Sequence, residues 1–228
     1  MFAEYRIDDL RDKMNRMEIR PLDVMVTGVT GAGKSTTLNG LFEKCVAKVG
    51  NGVDPETMDL TAYELNNVAR FWDTPGLGDG VNRDKVHSKK IVDLLYKTYT
   101  IDNKVYGWID MVLIIIEGIN RDMGSTYKLL NEIIVPNFQR DRILVAINQS
   151  DVAMKGRHWD SRYNRPDDTL ENFLREQAQS IKRRVKEATG VEIITPVYYS
   201  GEHGYNVNKL MDLIIDNIPI NRRDLVLH

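Results

Sequence analysis

The chain has 228 residues, 42% hydrophobic and 28% charged, and its 31 Lys and Arg against 33 Asp and Glu give a formal net charge of −2. Such a chain can bury a substantial core without staples, and it carries no overall basic field to attract nucleic acid or acidic lipid. The single Cys45 excludes an internal disulfide framework and a Cys-rich zinc site, and the longest apolar run, Met111 to Ile116, is too short to span a bilayer.

Charge alternates through the N-terminal MFAEYRIDDLRDK, where a signal peptide needs an apolar stretch, so a soluble, cytoplasmic protein is expected. Residues 1–20 are predicted to form an accessory helix ending at Pro21. Ala3, Ile7, Leu10, Met14 and Met17 recur at spacings of four and three and draw one apolar stripe. Five acids and five bases share the rest of its surface, a balance unlike that of a Lys- and Arg-rich membrane-surface helix. Docking onto its own domain and service as a partner or dimer helix are both open.

After Pro21, short apolar runs alternate with helical stretches. Leu22–Val26 reads as a strand entering a glycine turn, followed by a helix from Lys34 to about Val46. Val68–Trp72 is a second strand, with Met58–Leu65 as its hairpin partner. Met111–Ile116, Ile143–Ile147 and Ile193–Tyr199 are nearly continuous aliphatic runs, as strands covered on both faces require. Helices are predicted near 84–97, 125–135, 170–188 and 206–217. Strands alternating with helices define an α/β fold, a three-layer, mostly parallel six-stranded sheet. A domain over 21–220 and a tail over 221–228 complete the plan. Two connections, 98–109 and 152–169, are long enough to be functional or mobile. Between Val152 and Thr189, nine bases face six acids, a pattern that suits a solvated helix face or an RNA or partner contact.

Gly28-Val29-Thr30-Gly31-Ala32-Gly33-Lys34-Ser35 matches G-x-x-x-x-G-K-[ST] between a predicted strand and helix. Its glycines let successive N–H groups, from Thr30 through Thr36, turn inward on phosphate oxygens beside a helix N-terminus. Lys34 then reaches the β- and γ-phosphates, and the Ser35 hydroxyl ligates Mg²⁺. Asp73-Thr74-Pro75-Gly76 follows the second strand and supplies an acid for Mg²⁺ and a backbone N–H, at Gly76, for the γ-phosphate. Gly76, Gly78 and Gly80 make the next loop deformable.

Asn148-Gln149-Ser150-Asp151 follows the strand Ile143–Ile147 and selects the base. The Asp151 carboxylate accepts from the ring N1–H and exocyclic amine of guanine; adenine has no N1–H to offer. Gln149 covers the base plane without a cationic contact. Ser200-Gly201 ends the last strand, where a backbone N–H can meet the guanine oxygen. The four histidines, His87, His158, His203 and His228, show no metal-ligand spacing. Trp159 and Tyr163 suit ordinary packing or the rim of a base or partner site.

The ordered set GVTGAGKST, DTPG, NQSD and SG resembles the P-loop GTPases of the translation-factor-related class. It is most similar to the Era-like and septin-like branch, prophage-encoded bacterial GTPases included, over residues 21–220. That resemblance implies GTP and GDP as substrate and product with Mg²⁺ as cofactor. It also implies a switch threonine between the P-loop and DTPG that contacts Mg²⁺ and the γ-phosphate: Thr57 is the first choice and Thr61 the second. Two positions depart from the pattern. Leu77 stands where Ras-type enzymes carry a water-orienting glutamine, so hydrolysis is slow or completed by another group. Gly31 stands where potassium-activated relatives carry Asn, which argues against potassium stimulation. Asp79, Asn82, Arg83 and His87 lie in the adjoining stretch and are candidates to approach the γ-phosphate. The partners implied are guanine nucleotide, a nucleotide-dependent homodimer or a protein activator, and, with less support, RNA or the ribosome. A P-loop ATPase, suggested by Gln149 alone, and an assembly module with little turnover are the rival readings.

Overall fold

The computed structural model describes residues 5–16, 21–42, 61–65, 67–118 and 123–225. In chain order these form α1 (Ile7–Arg16), β1 (Leu22–Gly28), α2 (Lys34–Phe42), β2 (Thr61–Leu65), β3 (Ala69–Asp73) and α3 (Val81–Leu95). Next come β4 (Thr98–Ile101), β5 (Lys104–Gly107), β6 (Met111–Glu117), α4 (Gly124–Lys128), α5 (Val135–Asn137) and β7 (Ile143–Asn148). The chain closes with β8 (Trp159–Asp160), β9 (Arg165–Pro166), α6 (Asp168–Thr189), β10 (Val197–Tyr198) and α7 (Val207–Asp216). The expected ends of the first helix (Ala3, Met17), the extension of α2 toward Val46 and the stretch Met58–Leu60 of sequence before β2, read 58–60, lie outside the described residues.

The main sheet runs β10-β7-β6-β1-β3-β2, parallel throughout except for β2, which pairs antiparallel with β3. The expected three-layer α/β sheet is what the chain forms. β1 and β6 are covered on both faces, so their residues alternate between two cores. Val24, Val26, Leu113 and Ile115 pack with α1, α2 and α7; Met25, Val112, Ile114 and Ile116 pack with α3, the α4–α5 stretch and α6.

Helix α1 is docked on α7. Leu10 and Met14 are buried, Arg6 reaches Asp212 and Asp216 at 2.8 Å each, and Lys13 Nζ donates to Ile215 O at 2.6 Å. Its ion pairs are partly exposed and worth little singly; the buried stripe fixes the helix.

Three details differ from the sequence expectation. The last strand has two residues rather than the seven of Ile193–Tyr199, because Pro196 has no N–H for the ladder; Tyr199 N still donates to Ile147 O at 2.8 Å. Between α4 and α5, Leu129–Ile134 makes wider, i→i+5 turns ahead of Pro136, another residue without an N–H. The long connections at 98–109 and 152–169 are largely ordered as small hairpins, β4–β5 and β8–β9.

Candidate nucleotide site

A parallel sheet collects its ligands at the carboxyl ends of its strands. Here the loops after β1, β3, β7 and β10 meet at that edge and bring all four motifs together. A cleft of about 420 Å³ is lined by Thr30, Gly31, Lys34, Ser35, Thr61, Asp73 through Gly76, Asp79 and His87.

The P-loop is held from two sides. Gly33 has φ +80°, and a Cβ there would stand 2.3 Å from Asn148 Nδ2, so only glycine fits. Asn148 Nδ2 donates to Ala32 O at 3.0 Å, while its Oδ1 accepts from Gly201 N at 2.9 Å. One buried side chain thus ties the P-loop to the loop after β10. Gln149 adopts φ +63° and donates from Nε2 to Gly31 O at 2.9 Å, a neutral amide bridging to the P-loop. On the other side Thr30 N donates to Leu77 O at 2.8 Å, and a Cβ on Gly76 would lie 2.6 Å from Thr30 N. Beneath the loop, Thr37 Oγ1 donates to Gly33 O, and the fully buried Tyr199 hydroxyl lies 2.7 Å from Thr37 Oγ1. Thr36 sits in the first turn of α2, half-buried, next to the exposed Ser35.

Lys34 is buried at the head of α2, its ammonium donating to Val29 O at 3.1 Å and Gly28 O at 3.3 Å. Burial lowers its pKa, while Asp73, Asp79 and Glu117 pull the other way. Ser35 Oγ donates to Asp73 Oδ2 at 2.8 Å. The other oxygen of Asp73 is buried and has no hydrogen-bond partner among the described residues, and burial raises this carboxyl's pKa despite Ser35 and Lys34. A hydroxyl and a half-satisfied carboxylate are hard oxygen donors at the mouth of a phosphate loop. That set fits Mg²⁺, which takes one or two protein oxygens and completes its shell with phosphates and water. Among the described residues no group of three or more His, Cys, Asp or Glu forms an all-protein metal cage.

Thr57 lies outside the described residues. Thr61 opens β2 and lines the cleft. Leu77 is 3% exposed and packs into the core below α3, so its side chain is turned away from the cleft. Asp79 and His87 line the cleft; Asn82 and Arg83 are exposed and do not.

At the loop after β7, the Asp151 carboxylate has 12% of its side chain exposed and lies 3.7 Å from His203 Nε2. Ser200 N donates to Tyr205 O and Gly201 N to Asn148 Oδ1, so both backbone donors are engaged within the protein. Trp159 packs its ring against His203 and edge-on to Tyr205, which places the β8–β9 hairpin beside this loop. Tyr163 stays exposed. The bases of α6 are partly paired, Arg183 with Glu187 and Lys186 with Glu192.

Glu117, His203 and Tyr199 were not singled out as site residues by their sequence. Glu117 ends β6 and His203 follows the Ser200-Gly201 pair by two residues, so position at a strand's carboxyl end was the available signal. Tyr199 offered none beyond its place in a strand.

Sheet order, phosphate loop and the Asn148 brace define a P-loop nucleotide-binding domain. The family model described as 50S ribosome-binding GTPase matches residues 23–183, more than half of the chain, and the chain belongs to that GTPase family. In sequence it is similar to mouse (Mus musculus) interferon-inducible GTPase 1, 35% identical over 74 residues, 30% of this chain and 18% of that protein. It is also similar to mouse T-cell-specific guanine nucleotide triphosphate-binding protein 2, 43% identical over 68 residues, 27% of this chain and 16% of that one. The matches therefore span less than a fifth of those curated relatives. Its fold is similar to that of Toc33 from Arabidopsis thaliana in complex with GDP and Mg²⁺, with TM-score 0.62, 17% identity and coverage of 97% of this chain and 93% of that one. Era from Aquifex aeolicus, bound to GDP·AlF4⁻, superposes with TM-score 0.53 and 18% identity over 88% of this chain and 58% of that one. No helix among the described residues is long and apolar enough to cross a membrane.

Proposed function

We propose that this chain binds GTP with Mg²⁺ and hydrolyses it slowly to GDP and phosphate, acting as a conformational switch in the cytoplasm. The observation that carries the reading is Asn148, which braces the P-loop against the loop after β10 and so fixes the base-reading and phosphate-binding ends in one frame. The domain over 21–220 contains every residue involved. Backbone donors from Gly31 to Thr36 receive the phosphates, with Thr30 bordering them while its own N–H is held by Leu77 O, and Lys34 exchanges its two carbonyl partners for the β- and γ-phosphate oxygens. Ser35 and Asp73, with a switch threonine at Thr57 or Thr61, would hold Mg²⁺, which would supply neutralisation of phosphate charge. Asp151 reads the guanine edge, Gln149 covers its face, and Ser200 and Gly201 wall the base pocket. Gly76 offers its N–H to the γ-phosphate and lets go after hydrolysis, which releases the loop ahead of α3. Kinship with the Era-like and septin-like branch, prophage-encoded members included, is part of this proposal.

A second reading is nucleotide-dependent self-association with little turnover. Leu77 is buried in the core, and Val81 and Val86 on α3 are 71% and 56% exposed, single apolar side chains open to a second copy or a protein activator. An RNA partner has weaker support. Era is seen in one structure with MgGDPNP and part of the 16S ribosomal RNA, whereas the basic residues of α6 here are partly neutralised by their own acids.

GTP hydrolysis per protein molecule, measured over a wide protein concentration range with Mg²⁺, separates the readings. A slow rate independent of concentration, equal in sodium and potassium, is expected of the switch. A rate that rises with concentration, with mass doubling only in a non-hydrolysable GTP analogue, favours self-association. Absence of GTP binding defeats both.

A further inference from the structure

Helix α3 begins beside the cleft and returns one imidazole to it. His87 Nδ1 lies 2.7 Å from Gly76 O. A carbonyl oxygen only accepts, so Nδ1 carries the proton of this bond, and in the neutral ring Nε2 is left as an acceptor. The same side chain lines the cleft with Lys34, Ser35 and Asp73. Its position is fixed from the other side as well: Asp84, one turn earlier on α3, accepts from Gly78 N at 2.9 Å and Asp79 N at 3.2 Å, which pins the loop between Gly76 and the helix. The residue that follows the DTPG motif, Leu77, has its side chain in the core and no polar atom with which to hold water.

We propose that His87 is the water-holding catalytic residue of this GTPase, an assignment that rests on the GTPase reading above. Its Nδ1–H holds the Gly76 carbonyl and so fixes the residue whose own N–H is to meet the γ-phosphate, and its Nε2 accepts a hydrogen bond from the attacking water. The water oxygen bonds to the γ-phosphorus as the bond from that phosphorus to the β–γ bridging oxygen breaks, its electron pair leaving on GDP. One water proton stays on the transferred oxygen; the other passes by way of Nε2 to a phosphate oxygen, giving dihydrogen phosphate and restoring the neutral ring.

Two variants separate the functions of the ring. His87→Asn keeps an amide N–H near the Nδ1 position and so keeps the clamp on Gly76, but has nothing in place of Nε2. His87→Ala loses both. Single-turnover GTP hydrolysis and GTP and GDP affinities are measured on the whole chain with Mg²⁺, at the concentration where the wild type is fastest, with thermal melting as a check of folding. Both variants are expected to lose about 100-fold in rate, with nucleotide affinity within about threefold of wild type. Wild-type turnover in His87→Asn, or in both variants, overturns the assignment and leaves the GTPase reading standing. A wild-type chain that binds GTP without hydrolysing it also overturns the assignment, and one that does not bind GTP overturns both.

Discussion

At the amino end of β1, Asp23 is enclosed by donors: Arg70 Nε and Nη2 meet its two oxygens at 2.8 and 2.7 Å, and Trp72 Nε1 donates at 2.7 Å. At the carboxyl end of the same strand, among the described residues, Lys34 donates to carbonyls alone and Asp73 keeps one buried oxygen unpartnered. Both ends desolvate charge, and burial alone is costly at each. The difference lies in who completes the shell. Asp23 and Arg70 complete each other, so that end holds β1 to β3 permanently. At the carboxyl end, among the described residues, no carboxylate is hydrogen-bonded to Lys34 and one Asp73 oxygen has no hydrogen-bond partner, and a nucleotide triphosphate with Mg²⁺ would complete both shells.

Breaking the self-contained end should cost most. Arg70→Met leaves Asp23 buried with the indole as its chief remaining partner, and a loss of about 3–5 kcal/mol in urea unfolding is expected. A loss below about 1 kcal/mol would show that the pair is not what holds that end. Lys34→Ala removes a desolvated ammonium with no partnering carboxylate within hydrogen-bond reach, so the melting temperature should hold. Nucleotide triphosphate affinity should fall at least about 100-fold by calorimetry, the equivalent of about 2.7 kcal/mol. A variant that melts early yet binds normally would reverse the comparison.

The smallest effect sharpens it. Asp110 lies next to Asp23, accepts from Asp23 N at 2.9 Å, and is pushed up to about 7 from 3.8, chiefly by burial. A carboxyl whose folded pKa is raised binds its proton more tightly in the folded state. Its contribution to stability is full below the unfolded pKa and is lost as pH rises from about 4 to about 7. Burial shifts Asp23 in the same direction. Asp110→Asn keeps an acceptor for Asp23 N and should flatten that slope by at least about 1.4 kcal/mol, the worth of one pKa unit. An unchanged slope in unfolding curves across that window contradicts the assignment.

Much of this was legible because its causes are local. Runs such as Met111–Ile116 specify buried strands by their side chains, and the P-loop carries its glycines and lysine within eight residues. The hairpin at 98–107 was missed although its signal was present. Asp102 and Asn103 both take positive φ, 50° and 62°, the two-residue turn that Asp and Asn favour between strands. The β8–β9 hairpin has only two pairs, too short for any periodicity, and depends on Trp159 packing against residues some forty positions later. The Asn148 brace and the His87–Gly76 bond were illegible for a different reason. The first joins segments more than a hundred residues apart that meet only through the sheet order, and the second, within one loop-to-helix connection, depends on how α3 is turned about its axis.

The most direct test of the nucleotide assignment is competition against labelled GDP by GTP, ATP and xanthosine triphosphate, on the wild type and on Asp151→Asn. GTP should outcompete ATP by at least about a hundredfold on the wild type. In the variant that preference should pass to xanthosine triphosphate, because a ring carbonyl then faces the new amide. Equal competition by ATP and GTP, or a base preference unmoved by Asp151→Asn, would contradict a guanine site at this end of the sheet.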